Sequence, residues 1–551
     1  MTNNESLIRL YQDEFQALRE FLATYSLEHR SSGLQSTDAN EDPDVARLLQ
    51  SIAFFAARTH ENALRHVDEY RLRLYGQLFS YLLTSLPAVG ILKAHHSGSL
   101  NEPVFVDRGT NILLKTDAGQ NYFFTTRAPL HVYPISIENL TTVPVEPFGF
   151  KLSLHFSSRY TLTALPERLT FYLDYINDVS ASFQVLGFFK KNLVNIQMKL
   201  SRGGIEQAED DWYSLPLPTF GPIPLEVEDT EFLHPMEDER LFFRDPRSEL
   251  FMHLAPPILG ESFKNFVIEF EFSERWPRGF IPNVDLFNLH CVPVINLQRA
   301  VASPINADGT LSRFPILHSD PEGQFELFKP IGVYKAEEEG MSPLTPAILA
   351  DEDGSYELSV DYNSQLQRRV SHLHLHLPSA FIQPVPVFVD ALWQQPSYIR
   401  NRERPGEFTT YQRIYHGVSW GWQAIPAEHY RNPSAGMATD EILQILAMSH
   451  KRFYSYEDLR ALLEVFGPLQ HGIFRQILEA FKGSRYELRL VEGDRLTAGY
   501  VIYFLDFDFE RLDHQNYLFD VFLGHLERVL NHWSAEREVR LTVDTQLDHD
   551  V

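Results

Sequence analysis

The spacing of apolar residues changes twice along this chain, and nothing else in the sequence constrains the fold as strongly. In residues 5–28, Leu7, Tyr11, Phe15, Leu18, Leu22 and Tyr25 recur at helical spacing. The polar stretch EHRSSGLQSTDANE follows, and a second helix is expected from DPDVARLLQSIAFFAAR. Asp42 suits the N-cap, and Pro43 suits the first helical position, where its missing N–H would have been unpaired anyway. Val45, Leu48, Leu49, Ile52, Phe55, Ala56, Val67 and Tyr70 form its apolar stripe. The pattern runs on with breaks to Leu86, and Pro87 stops it. Two readings of the stripe stand side by side: packing into the chain's own core, or a share in an intermolecular helical bundle.

From residue 91 the period becomes two, the mark of strands with one face inward. Strands are expected at 111–116, 121–126, 148–157, RLTFYLDY, LVNIQMKL, 266–273 and 287–297, with Asp178 capping a short helix through SASFQVLGFF. SYELSVDY, the histidine strand below and PVPVFVDALW resume the pattern, and 396–436 reads as irregular. Helical spacing returns in TDEILQILAMSH, in SYEDLRALLEVFG with Ser455 and Asp458 placed as a capping box and Gly467 at its end, and in HGIFRQILEAFKG. The strand GYVIYFLDF follows. The helix NYLFDVFLGHLERVLNHW then presents Leu518, Phe522, Leu526, Val529 and Trp533 on one face, and the strand REVRLTVDT closes the chain.

The expected fold class is therefore α+β multidomain. A helical N-terminal region covers 1–90, a β-rich middle region 91–335, a second β-rich or irregular region 336–435, and a C-terminal α+β domain 436–551. The linker 29–41 and the Pro- and acid-rich stretch 334–355 are the candidate joints, and Glu337, Glu338 and Glu339 read as a solvated patch.

Composition narrows the function classes. With 551 residues, 44% of them hydrophobic, and 41 Phe and 24 Tyr, the chain can fill several large cores. Lys and Arg number 48 against 74 Asp and Glu, a net charge of −26 that repels a phosphate backbone and argues against nucleic acid as a partner. A basic partner protein would suit it. The single cysteine, Cys291, excludes an intrachain disulfide. The opening residues lack a secretory apolar stretch and no run approaches 18 apolar residues, so a cytoplasmic protein without a membrane span is expected.

A search for chemistry finds one suggestive stretch, SHLHLHLP at 371–378. Strict alternation makes it a strand, with Leu373, Leu375 and Leu377 facing a core and His372, His374 and His376 facing away. Neighbouring histidines on one strand face stand about 6.5–7 Å apart, so two reach one metal and the rest of a zinc site must come from elsewhere. No second cluster with ligand spacing appears, and the simpler reading is the wet face of a half-buried strand. There is no glycine-rich phosphate turn and no G-x-S-x-G elbow. His290 and Cys291 are consecutive on a strand and point to opposite faces, so Cys291 reads as an inert core residue. Asp506 and Asp508 share a strand face, but one strand does not make a cleft. No catalytic, cofactor or metal residues are assigned. The alternative is a zinc-dependent enzyme or β-rich binding protein built on His372, His374 and His376.

Several segments, in order, resemble the TssF (ImpG or VasA) family of type VI secretion baseplate proteins. DPDVARLLQSIAFFAAR is similar to the family's DP-x-V-x-R-L segment through Asp42, Pro43, Val45, Arg47, Leu48, Ala53, Phe54, Ala57 and Arg58. FFTTRAPLHVYPISI and RLTFYLD resemble two family strand segments. FNLHCVPVINL resembles a third through Phe287, Cys291, Pro293, Val294, Asn296 and Leu297. Two departures stand out. His290 occupies a place where the family often has Asn, and VDALWQQPSYIRN lacks the cysteine of the family's C-T-N-R-D-L-P segment.

The resemblance implies a structural, non-enzymatic subunit without cofactors, related in architecture to wedge proteins of contractile phage tails. It implies TssG-like and TssK-like partners, two copies of this chain per wedge, and association with a TssE-like protein and the VgrG spike. Such a wedge would initiate assembly of the tube and contractile sheath, at the cytoplasmic face of the inner membrane. Leu48 and Ile52 are the residues on which partner binding is expected.

Overall fold

The computed structural model describes residues 3–29, 43–78, 81, 84–98, 100–117, 119–147, 149–201, 212–225, 233–258, 262–311, 313–337, 340–347, 354–363, 368–401, 406–411, 413–426, 447–448, 451, 453–465, 472–492, 497–508, 511–512, 517–534 and 538–543. Two compact units result, one of residues 1–80 with 438–440 and one of the rest.

The first unit is a helical hairpin of α1 (Asn3–His29) and α2 (Pro43–Leu78). In α1 the expected face, Leu7, Tyr11, Phe15, Leu18 and Leu22, is half-buried. Ala53 and Ala57 of α2 are fully buried. Small residues at such a contact let two helices approach closely. His60 of α2 meets Glu14 of α1, with Nδ1 3.1 Å from Oε1. The helix is described as far as Leu78 and Tyr81 is helical too, while Leu86, its expected end, belongs to the core of the second unit.

The second unit is built on antiparallel sheets. A six-stranded sheet runs in the order Gly406–Thr410, Asn111–Thr116, Asn121–Thr126, Cys291–Ile295, Val89–His96, Val418–Ala424. A five-stranded sheet orders Trp212–Leu215, Leu193–Ser201, Phe263–Phe272, Gly149–Leu162 and Ile135–Val145. Leu152, Leu154 and Phe156 of its long strand are buried at alternate positions, as period two requires. The helix α3 (Val179–Asn192) starts at Asp178, whose Oδ1 accepts from Ala181 N–H at 3.1 Å. Its Phe189 packs edge-on against Phe270, Phe272 and Phe287, so much of the phenylalanine content fills this core.

A further sheet joins Gln298–Val301, Val385–Gln394, Glu326–Glu337 and Gly340–Pro343. It corrects two expectations. Glu326–Glu337 runs through the boundary expected at 335, and 340–346 is strand rather than open loop. Pro343 and Pro346 lie in edge strands of their sheets, where a missing N–H costs few ladder bonds. Likewise 396–436 is not wholly irregular, because Gly406–Thr410 and Val418–Ala424 are the two edges of the six-stranded sheet.

Two helices are new or altered. The helix α4 (Pro235–Arg244) escaped the sequence reading; it has Pro at its start and a capping box between His234 and Glu237. After α5 (Tyr456–Val465), the expected helix in 471–483 shrinks to α6 (Arg475–Ala480), because Phe481 already begins a strand. Ser455 and Asp458 do form the capping box of α5: Ser455 Oγ accepts from Asp458 N–H, and Asp458 accepts from Ser455 N–H. The helix α7 (Tyr517–Trp533) buries Leu518, Phe522, Leu526, Val529 and Trp533. It crosses α3 where Gly187 leaves room, since a Cβ there would lie 2.6 Å from Tyr517 Cβ. Asp42, most of the linker 29–41, Gly467 and all but two residues of TDEILQILAMSH lie outside the described residues.

Candidate functional site

The helical hairpin presents the strongest candidate surface. Leu48, Ile52 and Phe55 are 62%, 45% and 68% exposed. At spacings of four and three they line one face of α2. At about 100° per residue, this face lies away from the buried Ala53 and Ala57. Phe54, stacked edge-on with Phe55, is exposed beside it. Two helices have only one shared seam, so a helix with apolar residues on a second side leaves that side uncovered. Ala53 and Ala57, which are buried, lie outside the expected stripe; of its own residues Leu49 and Ala56 are half-buried, and Leu48, Ile52, Phe55 and Val67 are exposed. Arg47 and Arg58 are also exposed, and Arg47 stands 3.7 Å from Asp44. Pro43 is the first residue of α2, as its fixed φ favours. The side chain of Val45 lies outside the described residues.

The motif residues of 287–297 are all buried. Phe287 is buried against Phe171 and Phe189. The expected single strand is two, Phe287–Leu289 and Cys291–Ile295, broken by His290 at φ +58°. That left-handed conformation is uncommon for a non-glycine residue, though less so for Asn, Asp and His. The Cys291 thiol is buried, and burial pushes its pKa up to about 12. Pro293 sits just before pairing with Asn121–Thr126 begins at Val294, and its carbonyl accepts from Arg127 N–H at 2.8 Å. Its missing N–H therefore interrupts no ladder bond there.

Asn296 and Gln395 carry the ladder on where that pairing stops. Asn296 Nδ2 donates to Phe123 O at 2.8 Å and its Oδ1 accepts from Gln395 N–H at 2.9 Å. Gln395 Oε1 accepts from Phe123 N–H at 2.8 Å, while its Nε2 donates to Asn121 O and Gly323 O at 2.8 and 2.7 Å. Two buried side-chain amides thus stand in for a neighbouring strand at Phe123. Gln395 escaped the sequence reading, because nothing local marks a partner 99 residues away in sequence.

The histidine strand has the expected faces: Leu373 and Leu375 are buried, and His372, His374 and His376 point the other way. His372 Nδ1 lies 3.2 Å from Arg313 Nη2, and His374 Nε2 lies 2.9 Å from Ser359 Oγ. A cation beside His372 opposes a metal there. Among the described residues, no group of three or more His, Cys, Asp or Glu could hold a metal ion.

A charged cluster around α4 also went unread. Its acidic and basic side chains break the apolar period that would have revealed the helix. Buried Arg240 donates to the carbonyls of Tyr81 and Thr84 at 2.6 and 2.9 Å. Glu237 pairs with Lys329 at 2.6 Å. His525 of α7 sits between Glu239 and Glu249, with Nδ1 and Nε2 2.6 and 3.0 Å from carboxylate oxygens. Arg528 approaches Glu239 at 3.5 Å, and Arg127 pairs with Asp238 at 2.6 Å across a cavity of about 280 Å³. These charges answer one another, which is what buried ions need in order to be tolerated. They fasten α7 and α4 to the sheets. Among the described residues, no helix is long and apolar enough to cross a membrane.

The class defined is an α+β chain with an N-terminal helical hairpin and a β-rich second unit. Residues 3–207 match the model of the type VI secretion system TssF family. No curated protein sequence matches it. Its fold is similar to a chain in the cryo-electron microscopy structure of the type VI secretion TssK-TssF-TssG baseplate subcomplex. There the TM-score is 0.72 at 16% identity, over 91% of this chain and 96% of that one. It is also similar to a chain of the type VI secretion baseplate complex, with a TM-score of 0.60 at 15% identity, over 98% and 97% of the two chains. Architecture is thus shared along nearly the whole length, although few residues are.

Proposed function

We propose that this chain is a structural subunit of a type VI secretion baseplate wedge, assembling with TssG-like and TssK-like proteins. The observation that carries the proposal is the shared fold over 91% of the chain with a member of the TssK-TssF-TssG subcomplex. The open stripe Leu48, Ile52, Phe55 supplies an assembly surface, since an amphipathic helix with one uncovered apolar face fits a helical bundle shared between subunits. Two copies of the chain per wedge, contacts with a TssE-like protein and the VgrG spike, and a place at the cytoplasmic face of the inner membrane belong to the same reading. The wedge then organises the start of the tube and sheath, without chemistry of its own.

Co-expression tests this. The chain alone is expected to aggregate through its open apolar face, despite a net charge of −26. With a TssG-like partner it is expected to be soluble, and native mass spectrometry should find two copies per partner. A monodisperse monomer indifferent to that partner contradicts the reading.

A further inference from the structure

The acidic second unit contains a local concentration of basic side chains that the scaffold role does not use. Lys93, His95 and His96 occupy the end of strand Val89–His96, and His290 joins them from the break between Phe287–Leu289 and Cys291–Ile295. With Ser136, Asn288 and backbone from both sides they line a cavity of about 330 Å³. Lys93 Nζ donates to Asn288 Oδ1 at 2.8 Å, and no carboxylate among the described residues pairs with it. Asp285, the one acidic side chain among the described lining residues, is exposed.

His290 supplies the second observation. Its side chain is more than nine-tenths buried, and its Nε2 accepts from Tyr133 N–H at 3.2 Å. Burial, and then the charges of His96, Lys93 and His95, lower its pKa to about 3, so the ring is neutral. With Nε2 an acceptor, the ring proton sits on Nδ1, which has no partner among the described residues and belongs to a ring lining the cavity. That N–H is not closed off from solvent, so an oxygen entering the cavity can accept from it in place of water. The φ of +58° at His290 holds the ring in this place. His96 lies edge-on to it, with centroids 5.8 Å apart, and its own Nε2 is turned to Ile135 O and Ser136 Oγ. A Cβ at Gly421 would stand 3.1 Å from His95 Nε2, so glycine there leaves the exposed His95 its room at the rim.

We propose that this cavity binds a small oxyanion, a phosphate or a carboxylate group, through Lys93 Nζ and His290 Nδ1–H, with His95 at the rim. Lys93 Nζ spends one of its three N–H donors on Asn288 and has no carboxylate partner among the described residues, and the ammonium supplies the charge. A cation is disfavoured because Lys93 already occupies the lining. The inference stands on this cavity alone and is independent of the wedge assignment.

Thermal unfolding of the purified chain, or of its complex with a co-expressed partner, tests it. Sodium phosphate or sodium succinate is raised to about 50 mM against chloride at matched ionic strength, because a ligand that binds only the folded state raises Tm. Either oxyanion should raise Tm by a few degrees over chloride. Lys93→Gln should abolish the difference, Lys93→Arg should retain most of it, and His95→Gln, at an exposed position, should reduce it with the fold intact. A response to phosphate alone assigns a phosphate-bearing ligand, and a response to succinate assigns a carboxylate, including that of an acidic side chain. Shifts no larger than chloride's, equal shifts in Lys93→Gln and His95→Gln, or stabilisation by zinc in place of the anions would overturn it.

Discussion

Replacing Asn296 by Leu removes the amide that serves Phe123 O and Gln395 N–H while keeping much the same volume. Both backbone groups are then buried without partners, each at about 1–3 kcal/mol. The added apolar burial returns roughly 1–2 kcal/mol. The net loss expected is about 1–4 kcal/mol, borne locally where the strands 121–126 and 385–394 meet. Asn296→Asp should be worse: one oxygen still accepts from Gln395, but the other faces Phe123 O and leaves a buried charge unpaired. Two-state unfolding is a property of small single domains, so for a chain this long hydrogen exchange resolved to peptides around 121–126 and 391–397 is the better assay. A loss of ~2 kcal/mol corresponds to roughly thirtyfold faster exchange of the Gln395 amide. Protection unchanged within about threefold in Asn296→Leu, which is a change of well under 1 kcal/mol, would refute the role given to these two amides.

Other outcomes follow from the same structure. Cys291, its thiol pushed up to about 12, should resist alkylation at pH 8 in the folded protein, with a thiolate fraction on the order of one in ten thousand, and should react fully once unfolded. Gly187→Ala should loosen α7 from α3, because the added methyl meets Tyr517 Cβ at 2.6 Å, and limited proteolysis should then cut nearer the C-terminus. Ser455→Ala should cost α5 about 0.5–2 kcal/mol of cap energy, visible as faster exchange of the Asp458 amide. Burial raises the Asp458 carboxyl, but its bonds to Lys451 and Ser455 outweigh this and hold it below the usual carboxylate range. A depressed carboxylate stabilises the fold above its unfolded pKa and loses that stabilisation as pH falls through the lower folded one. Protection of α5 should therefore decline selectively below about pH 4.

The parts of the fold that were legible are those written in local periodicity. Strands 111–116 and 121–126 match to the residue, and the buried face of α7 is the one its spacing announced. Long-range demands were not legible. His290 breaks a strand by adopting a positive φ. Gly406–Thr410 and Val418–Ala424 are short edge strands whose partners lie some 300 residues earlier, so their Arg-, Pro- and aromatic-rich surroundings looked irregular. In α4 the N-cap is His234, outside the usual Ser, Thr, Asp and Asn, and Glu237, Glu239 and Arg240 are buried charges that disguise an inward face as a solvated one. The α2 stripe was readable as apolar, but which of its residues face α1 depends on where the small residues Ala53 and Ala57 let the helices meet.

The central claim is that the open face of α2 exists for assembly. Leu48→Asp and Ile52→Asp test it directly, because both residues are largely exposed in the isolated chain, at 62% and 45%. Each change should cost the fold under about 1 kcal/mol, the sum of a surface substitution and a lower helix propensity. Within a helical bundle the same carboxylate would be buried and unpaired, at several kcal/mol. Each variant should keep wild-type hydrogen exchange in the second unit, while co-purification with TssG-like and TssK-like partners is lost. Full wedge formation by both variants would contradict the account.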